Sequence, residues 1–161
     1  MAPLLRRPEE ILARRRLRDL LFFRPQQLWT VRSADTALWA MQVMADKDVG
    51  LVVVMDRNQL VGVLTERDCV RRAILLKKPI EATPVADLMT REVITVDPSQ
   101  SYSDCLKLMD QRRIRHLPVV DNGRPITVVS IRDLLSEAVK HHAQIIAELE
   151  RERLTIFTST A

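Results

Sequence analysis

A repeated hexapeptide constrains this chain more than any other feature of its sequence. VLTERD at residues 63–68 and VVSIRD at residues 128–133 each carry an apolar pair, a hydroxyl residue and a final Arg-Asp. At the same offset of 65 positions, the segment Leu28–Ile74 aligns with Val93–Val139 without a gap, and apolar character is largely kept along the alignment. Two copies are too few for a solenoid. We therefore expect two similar halves that bury faces against each other.

Each copy predicts a β-α-β-β-α unit. Strands are indicated by LWTV and VITV at the start, and by paired β-branched runs later, LVVVM with LVGVL and LPVV with ITVV. Asp97-Pro98 is typical of a helix N-cap followed by the first helical residue, and Ser33 is the matching cap candidate in the first copy. Asn122-Gly123 predicts a tight hairpin turn. The second helix is expected to start at the hydroxyl residue of the hexapeptide.

These patterns predict an α/β fold class and five segments. They are a basic N-terminal helix at 1–21, a first repeat at 22–76, a linker at 77–83, a second repeat at 84–139, and a C-terminal helix extension with a tail at 140–161. No apolar run approaches the ~20 residues that span a bilayer. Met1–Phe23 lacks the continuous apolar core of a signal peptide. We therefore expect a cytoplasmic protein without a membrane partner.

The hexapeptide has a structural and a functional interpretation. Thr65 and Ser130 suit helix N-caps, and Asp68 and Asp133, three positions later, favour the helix dipole, so plain capping explains both. The same geometry could bind an anion at the helix N-terminus. The Arg would add charge-assisted donors, and the Asp would accept hydrogen bonds from a vicinal diol. Together these groups suit a ribose phosphate, and a cap alone does not need the Arg.

The second copy, VITVDPSQS…LMDQRRIRHLPVVDNGRPITVVSIRDLL, resembles the CBS (cystathionine-β-synthase) domain. Over about residues 22–139 the two copies resemble a tandem pair, or Bateman module, with GVLTERD marking the first copy. The resemblance implies two repeats that pack through their sheets with pseudo-twofold symmetry. It also implies a regulatory, energy-sensing module that is not an enzyme and requires no cofactor. Such a module would bind AMP, ADP, ATP, S-adenosylmethionine or an NAD-type nucleotide in clefts between the repeats.

The resemblance assigns ligand-binding roles to individual residues. Asp68 and Asp133 would hold ribose hydroxyls. The hydroxyls of Thr65 and Ser130 would contact phosphate, with Arg67 and Arg132 nearby. The adenine edge would be met by the backbone at Trp29, Thr30, Val31, Ile94, Thr95 and Val96. At the centre of the module Arg115 and His116 would approach phosphate, and Pro118 is a further ligand-binding position.

The first copy departs from this pattern. Gly50 and Leu51 replace the Arg-His pair, so the central phosphate-binding charge comes from one repeat. In the second copy Thr127 stands where Gly62 stands in the first, and a glycine there would let a ligand approach the strand. We expect two unequal clefts, of which one is well occupied. The sequence leaves open which one.

Both termini extend beyond the repeats. PEEILARRRLRDLLFF at residues 8–23 predicts a basic helix that docks on the module or on a second chain, with membrane-surface or nucleic-acid binding as the alternative. The absence of a reading helix or an aromatic ladder argues against nucleic acid. The last helix shows heptad spacing that is typical of a two-helix seam, at Leu135, Val139, His142, Ile146 and Leu149. Contact with the N-terminal helix is one interpretation, and a homodimer is the favoured one.

Catalytic and metal-binding constellations are missing from the sequence. Cys69 and Cys105 lie in apolar segments and predict buried, inert thiols. His141 and His142 are adjacent, so on a helix they point to different faces and do not predict a metal site. We find no P-loop and no nucleophile–base set. The choice is therefore between a nucleotide sensor that acts on an unidentified protein partner and an adaptor that oligomerises without a ligand.

Overall fold

The computed structural model describes residues 8–24 and 26–158. Its elements, in chain order, are α1 (Pro8–Arg14), α2 (Leu17–Phe23), β1 (Thr30–Val31), α3 (Ala37–Lys47), β2 (Leu51–Asp56), β3 (Gln59–Thr65), α4 (Glu66–Leu76), α5 (Val85–Leu88), α6 (Tyr102–Arg112), β4 (His116–Asp121), β5 (Arg124–Ser130) and α7 (Ile131–Thr158). This order confirms the α/β class and the predicted duplication.

The two repeats are built around equivalent hairpins. β2 pairs with β3, and β4 pairs with β5, both antiparallel. Leu51 lies opposite Thr65, and the corresponding His116 lies opposite Ser130. The predicted turn at Asn122-Gly123 is confirmed, because both residues have positive φ, as the favoured two-residue hairpin turn requires.

The first strand differs between the repeats. β1 runs parallel to β2 in a three-stranded sheet, and the Val53 N–H donates to the Trp29 carbonyl over 3.0 Å. In the second repeat the predicted strand is reduced to a single bridge between Val96 and Val119. Pro118 occupies the position equivalent to Val53 and has no N–H to donate. The missing donor explains why the ladder shortens there.

The predicted caps of α3 and α6 are wrong. The N-caps are Thr36 and Ser101, whose side chains accept from backbone N–H groups of the first turn. Asp97 instead closes a turn ahead of the helix by accepting from the Ser99 N–H over 2.7 Å. An Asx turn of this kind competes with helix capping for the same carboxylate.

The helix at the start of one repeat completes the core of the other. α5 starts the second repeat, but its buried Val85 and Leu88 belong to the core of the first. α2 leads into the first repeat, but its buried Leu17 and Leu20 belong to the core of the second. The backbone repeats this exchange, since the Val85 N–H donates to the Asp35 carbonyl and the Leu17 N–H to the Gln100 carbonyl. The two halves are therefore interlocked.

The basic N-terminal segment docks on the second repeat as two helices. The predicted continuous helix is interrupted at Arg15 and Arg16, where the backbone bridges to Ser101 and accepts from the Tyr102 N–H. α1 contacts α6 and α7, and Arg15 Nη2 lies 2.9 Å from His141 Nδ1. The side chains of Arg14, Arg16 and Arg18 stay exposed. Docking on the module therefore agrees with the favoured interpretation of this segment.

Candidate functional site

Two cavities lie between the repeats and share one wall. The Asp133 cleft has a volume of about 600 Å³ and the Asp68 cleft about 190 Å³. The shared wall consists of Gly50, Leu51, Glu66, Arg115 and His116. The rest of each cleft is lined by the start of a different helix. The start of α7 lines the Asp133 cleft, and the start of α4 lines the Asp68 cleft.

Both helix starts are capped by their own hydroxyl and carboxylate. Thr65 Oγ1 accepts from the Asp68 N–H over 3.1 Å and donates to Asp68 Oδ2 over 2.8 Å. Ser130 Oγ accepts from the Asp133 N–H over 3.2 Å and donates to Asp133 Oδ2 over 2.7 Å. The second helix has one bond more, because the Ser130 N–H also donates to Asp133 Oδ2. The predicted capping geometry is thus present at both sites.

Asp133 also carries an ion pair from the N-terminal segment. Arg24 Nη1 lies 2.6 Å from Asp133 Oδ1, and the Arg24 side chain is half-exposed. Burial raises the pKa of Asp133, but the hydrogen bonds from Ser130 and the Arg24 guanidinium outweigh it, so the pKa lies below its ordinary value. Asp133 is therefore a charged carboxylate, with Oδ1 held by Arg24 and Oδ2 by Ser130.

The shared wall is formed where the repeat symmetry is broken. A Cβ on Gly50 would lie 3.1 Å from His116 Cε1, so this glycine leaves room for the imidazole. Burial lowers the pKa of His116, the neighbouring Arg115 lowers it further, and Asp133 opposes both. His116 is therefore a neutral hydrogen-bonding group at pH 7, whereas Arg115 supplies permanent positive charge to both clefts.

A segment of the chain itself narrows the Asp68 cleft. A Cβ on Gly62 would lie 2.7 Å from Met89 Sδ and 3.0 Å from the Thr90 carbonyl oxygen. Thr90 and Val63 exchange backbone hydrogen bonds of 2.8 and 3.0 Å. Gly62 therefore admits the chain after α5, which corrects the expectation that this glycine makes room for a ligand. In the second repeat, Thr127 donates its hydroxyl to the Gln27 carbonyl over 3.0 Å.

Comparison with known proteins identifies the family of these two units. The CBS domain model matches residues 18–74 and 85–140. The chain belongs to the CBS domain family. It is 36% identical over 129 residues to the CBS domain-containing protein CBSX3, mitochondrial, of Arabidopsis thaliana, covering 77% of this chain and 61% of that protein's length. It is 33% identical over 108 residues to YhcV of Bacillus subtilis, covering 67% and 76% of the two chains.

Solved CBS structures share the fold. The CBS domain NE2398 matches with a TM-score of 0.74 and 39% identity, covering 78% of this chain and 98% of that one. The CBS domain pair of protein MJ0100, in complex with 5-methylthioadenosine and S-adenosyl-L-methionine, matches with a TM-score of 0.67 and 22% identity, covering 76% and 94%. Tandem CBS pairs are regulatory modules that often bind adenosine ligands, so the resemblance inferred from the sequence is confirmed.

The CBS pair distributes the predicted site residues between its two clefts. Ser130, Arg132, Asp133 and Trp29 line the Asp133 cleft, and Arg115 and His116 line both. The residues that line the Asp68 cleft are Thr65, Arg67, Asp68, Ile94 and Pro118. Four predicted positions line neither cavity. Val31 and Val96 are buried in the cores, and Thr30 and Thr95, which precede them in the chain, are exposed.

The structure adds residues to the Asp133 cleft that the repeat pattern missed. Arg24 lies before the aligned segments, and the position 65 residues later holds Met89, so no repeated pattern marks it. Asp48, Glu66 and Thr127 line the cleft because helix ends and strands bring them to its wall. Lys47 Nζ lies 4.5 Å from the centre of the Trp29 ring, a cation–π distance. The local sequence around Arg24 does not predict a site residue, since the position of Arg24 depends on how α2 docks.

The remaining sequence predictions have the following outcomes. Cys69 and Cys105 are buried free thiols, and burial raises the pKa of Cys105 to about 11. Within residues 8–24 and 26–158, no group of three or more His, Cys, Asp or Glu side chains is arranged to hold a metal ion. Among the helices of that same part of the chain, none combines the length and apolarity needed to cross a membrane.

Proposed function

We propose that this CBS pair is a regulatory module that binds one adenine nucleotide in the Asp133 cleft. The observation that carries the proposal is the difference between the clefts. The Asp133 cleft, at about 600 Å³, has the size of a small-molecule site, and the Asp68 cleft, at about 190 Å³, falls below that range. The larger cleft also gathers a charged carboxylate, an aromatic ring and several cations.

Each part of a nucleotide has a suitable group in this cleft. Asp133 accepts from the ribose hydroxyls, in the manner of carboxylates in other nucleotide folds. Trp29 offers a ring face to the base. Arg115 and Arg132 offer donors to a phosphate. The methylthioadenosine and S-adenosylmethionine bound by MJ0100 contain the same adenosyl group, which supports AMP, ADP, ATP or S-adenosylmethionine as the ligand class.

The test compares the two aspartates. AMP, ATP and S-adenosylmethionine are titrated by calorimetry into the wild type, Asp133→Asn and Asp68→Asn; asparagine keeps an acceptor for the helix cap. We expect one site in the wild type, its loss in Asp133→Asn and its retention in Asp68→Asn. A ligand at about 100 times its Kd should stabilise the wild type by about 2.7 kcal/mol. Equal binding by the wild type and Asp133→Asn, or no response to any of the three, would refute the proposal.

The rival function is an adaptor that oligomerises, and one observation favours an oligomer. Along α7 the side chains of Leu135, Val139 and Ile146 are exposed at the predicted heptad spacing, and His142 is exposed between them. The Leu149 side chain lies outside the described residues. On α4, Ile74, which aligns with Val139, is also exposed. We propose that a second copy of the chain covers this surface.

The oligomer is tested with Val139→Glu, which places a charge on the proposed seam. We expect the wild type to migrate as a dimer in size-exclusion chromatography with light scattering, and Val139→Glu to migrate as a monomer of the same helix content. A monomeric wild type would contradict the homodimer. The regulated protein partner, the non-catalytic role and the cytoplasmic location remain predictions.

A further inference from the structure

Arg24 occupies the place that a sugar would need. Its Nη1 lies 2.6 Å from Asp133 Oδ1, while Ser130 donates twice to Oδ2. Both carboxylate oxygens are therefore engaged, and a ribose hydroxyl must either share Oδ1 with Arg24 or replace it. In the described part of the chain, Asp68 takes part in no such ion pair. The contact is thus specific to one cleft.

Building on the nucleotide site proposed above, we propose that Arg24 selects phosphorylated adenosyl ligands for the Asp133 cleft. When the ribose binds Asp133, the guanidinium leaves the carboxylate and pairs with the ligand's phosphate. Arg24 is therefore a specificity-determining residue, and the preferred ligand class is an adenosine phosphate. An uncharged adenosyl compound, such as adenosine or methylthioadenosine, would be disfavoured.

The charges of the cleft support this exchange. Its cations are Arg24, Arg115 and Arg132, and its carboxylates are Asp48, Glu66 and Asp133. A neutral ligand that displaces Arg24 from Asp133 carries no negative charge, so the Arg24 guanidinium is left without an anionic partner. A phosphate replaces the carboxylate with a bidentate acceptor. The ligand's charge therefore decides whether the displacement is compensated.

The position of Arg24 permits the movement. Arg24 follows the last residue of α2 with extended backbone, at φ −122° and ψ 134°. The Arg24 side chain is half-exposed, whereas that of Asp133 is only 20% exposed, so the guanidinium is the partner that can move. The preceding Phe22 and Phe23 side chains are also exposed, so core packing by Leu20 and Leu21 ends before these two residues. A change of side-chain conformation is enough to turn the guanidinium from Asp133 towards the cavity.

The experiment measures the affinities of AMP and adenosine, two probes that differ by the phosphate alone. The variants are Arg24→Gln, Arg24→Lys and the control Arg32→Gln, which removes a surface arginine paired with Asp35 outside the cleft. We expect Arg24→Gln to weaken AMP about tenfold while adenosine binding stays equal or strengthens, because a charged hydrogen bond to phosphate is lost. Arg24→Lys should retain part of the preference, and the control should retain all of it.

The outcomes separate this inference from the proposed function. If Asp133→Asn abolishes AMP binding and Arg24→Gln leaves the ratio of AMP to adenosine affinity unchanged, the nucleotide site stands and the role of Arg24 is refuted. If the wild type binds neither probe, the inference is refuted; the proposed function fails as well only if ATP and S-adenosylmethionine also give no response. Circular dichroism and thermal unfolding of each variant confirm that the ratio is compared between folded proteins.

Discussion

The Asp68 cleft and the Asp133 cleft start from the same helix cap but receive different segments from the rest of the chain. At the first, the chain after α5 lies at the cavity wall, where Thr90 lines the cleft and exchanges backbone hydrogen bonds with Val63 of β3. At the second, the chain after α2 enters with Arg24, which binds Asp133. Since the hairpins have equivalent strand pairing and both helix starts are capped by a hydroxyl, much of the difference arises in the segments that follow α5 and α2.

A clamp accounts for part of this difference. Arg72, on α4, donates to the Leu88 and Met89 carbonyls over 2.7 Å each and to Thr90 Oγ1 over 3.1 Å. It thereby satisfies the free carbonyls at the end of α5 and fixes the chain over the Asp68 cleft. The equivalent residue on α7 is Glu137, which has no donor to offer. In this chain, the narrower cleft is therefore the one beside the arginine clamp.

Removing the clamp should have the largest effect. Arg72→Met leaves two carbonyls without their charged donor, so we expect the free energy of unfolding to fall by about 2–3 kcal/mol. Amide exchange at Thr90, whose N–H bonds to the Val63 carbonyl, should accelerate more than exchange in the second repeat. Urea unfolding and hydrogen exchange measure the two effects. Arg71→Met, at the exposed neighbouring position, is the control, and equal losses in both variants would show that Arg72 does not act as a clamp.

Gly62 provides the second test of the comparison. Gly62→Thr copies the residue of the second repeat into the first, where the new Cβ would lie within 3.0 Å of Met89 Sδ and meet the Thr90 carbonyl. We expect a loss of about 2 kcal/mol from overpacking, measured by urea unfolding. The reverse change, Thr127→Gly, removes a bond to the Gln27 carbonyl and creates no clash. A neutral Gly62→Thr would mean that the chain after α5 does not press on β3.

The two caps should contribute equally to stability and unequally to binding. Thr65→Ala and Ser130→Ala each remove a hydroxyl that accepts from an N–H of the first helical turn, so each should cost about 1 kcal/mol in urea unfolding. In calorimetry with AMP, the Ser130 variant should bind more weakly and the Thr65 variant should match the wild type. Equal effects on binding would argue against one occupied cleft.

Much of the fold could be predicted from the sequence, because it depends on local and periodic signals. The hexapeptides located both helix starts, and Asn122-Gly123 located a hairpin. The cap predicted at Asp97 is wrong, because the Asp97 carboxylate closes a turn ahead of the helix and Ser101 caps it. The break at Arg15 depends on a contact with α6, which no local pattern records.

The site was predictable to the extent that it repeats. Residues in the aligned copies, such as Asp68 and Asp133, were proposed from their spacing, and each lies at a cleft. Arg24 and Thr90 lie outside the aligned hairpins, and their positions follow from the exchange of α2 and α5 between cores. The sequence therefore predicted two clefts and their inequality, whereas the ranking needed the tertiary structure.

The smallest expected effect concerns His116, which lies where both clefts meet and where the first repeat has Leu51. Burial lowers its pKa in the folded protein below the ordinary 6.5, so the unfolded chain takes up a proton first as the pH falls. The contribution of the neutral imidazole to stability is complete above about pH 6.5 and is lost as the pH falls from there through the folded pKa. We therefore expect the free energy of unfolding to decrease between pH 7.5 and pH 5.5, by less than the loss of a cap. Urea unfolding of His116→Gln should show a shallower decrease than the wild type; if His116→Gln follows the wild type, the imidazole is not held neutral by the wall between the clefts.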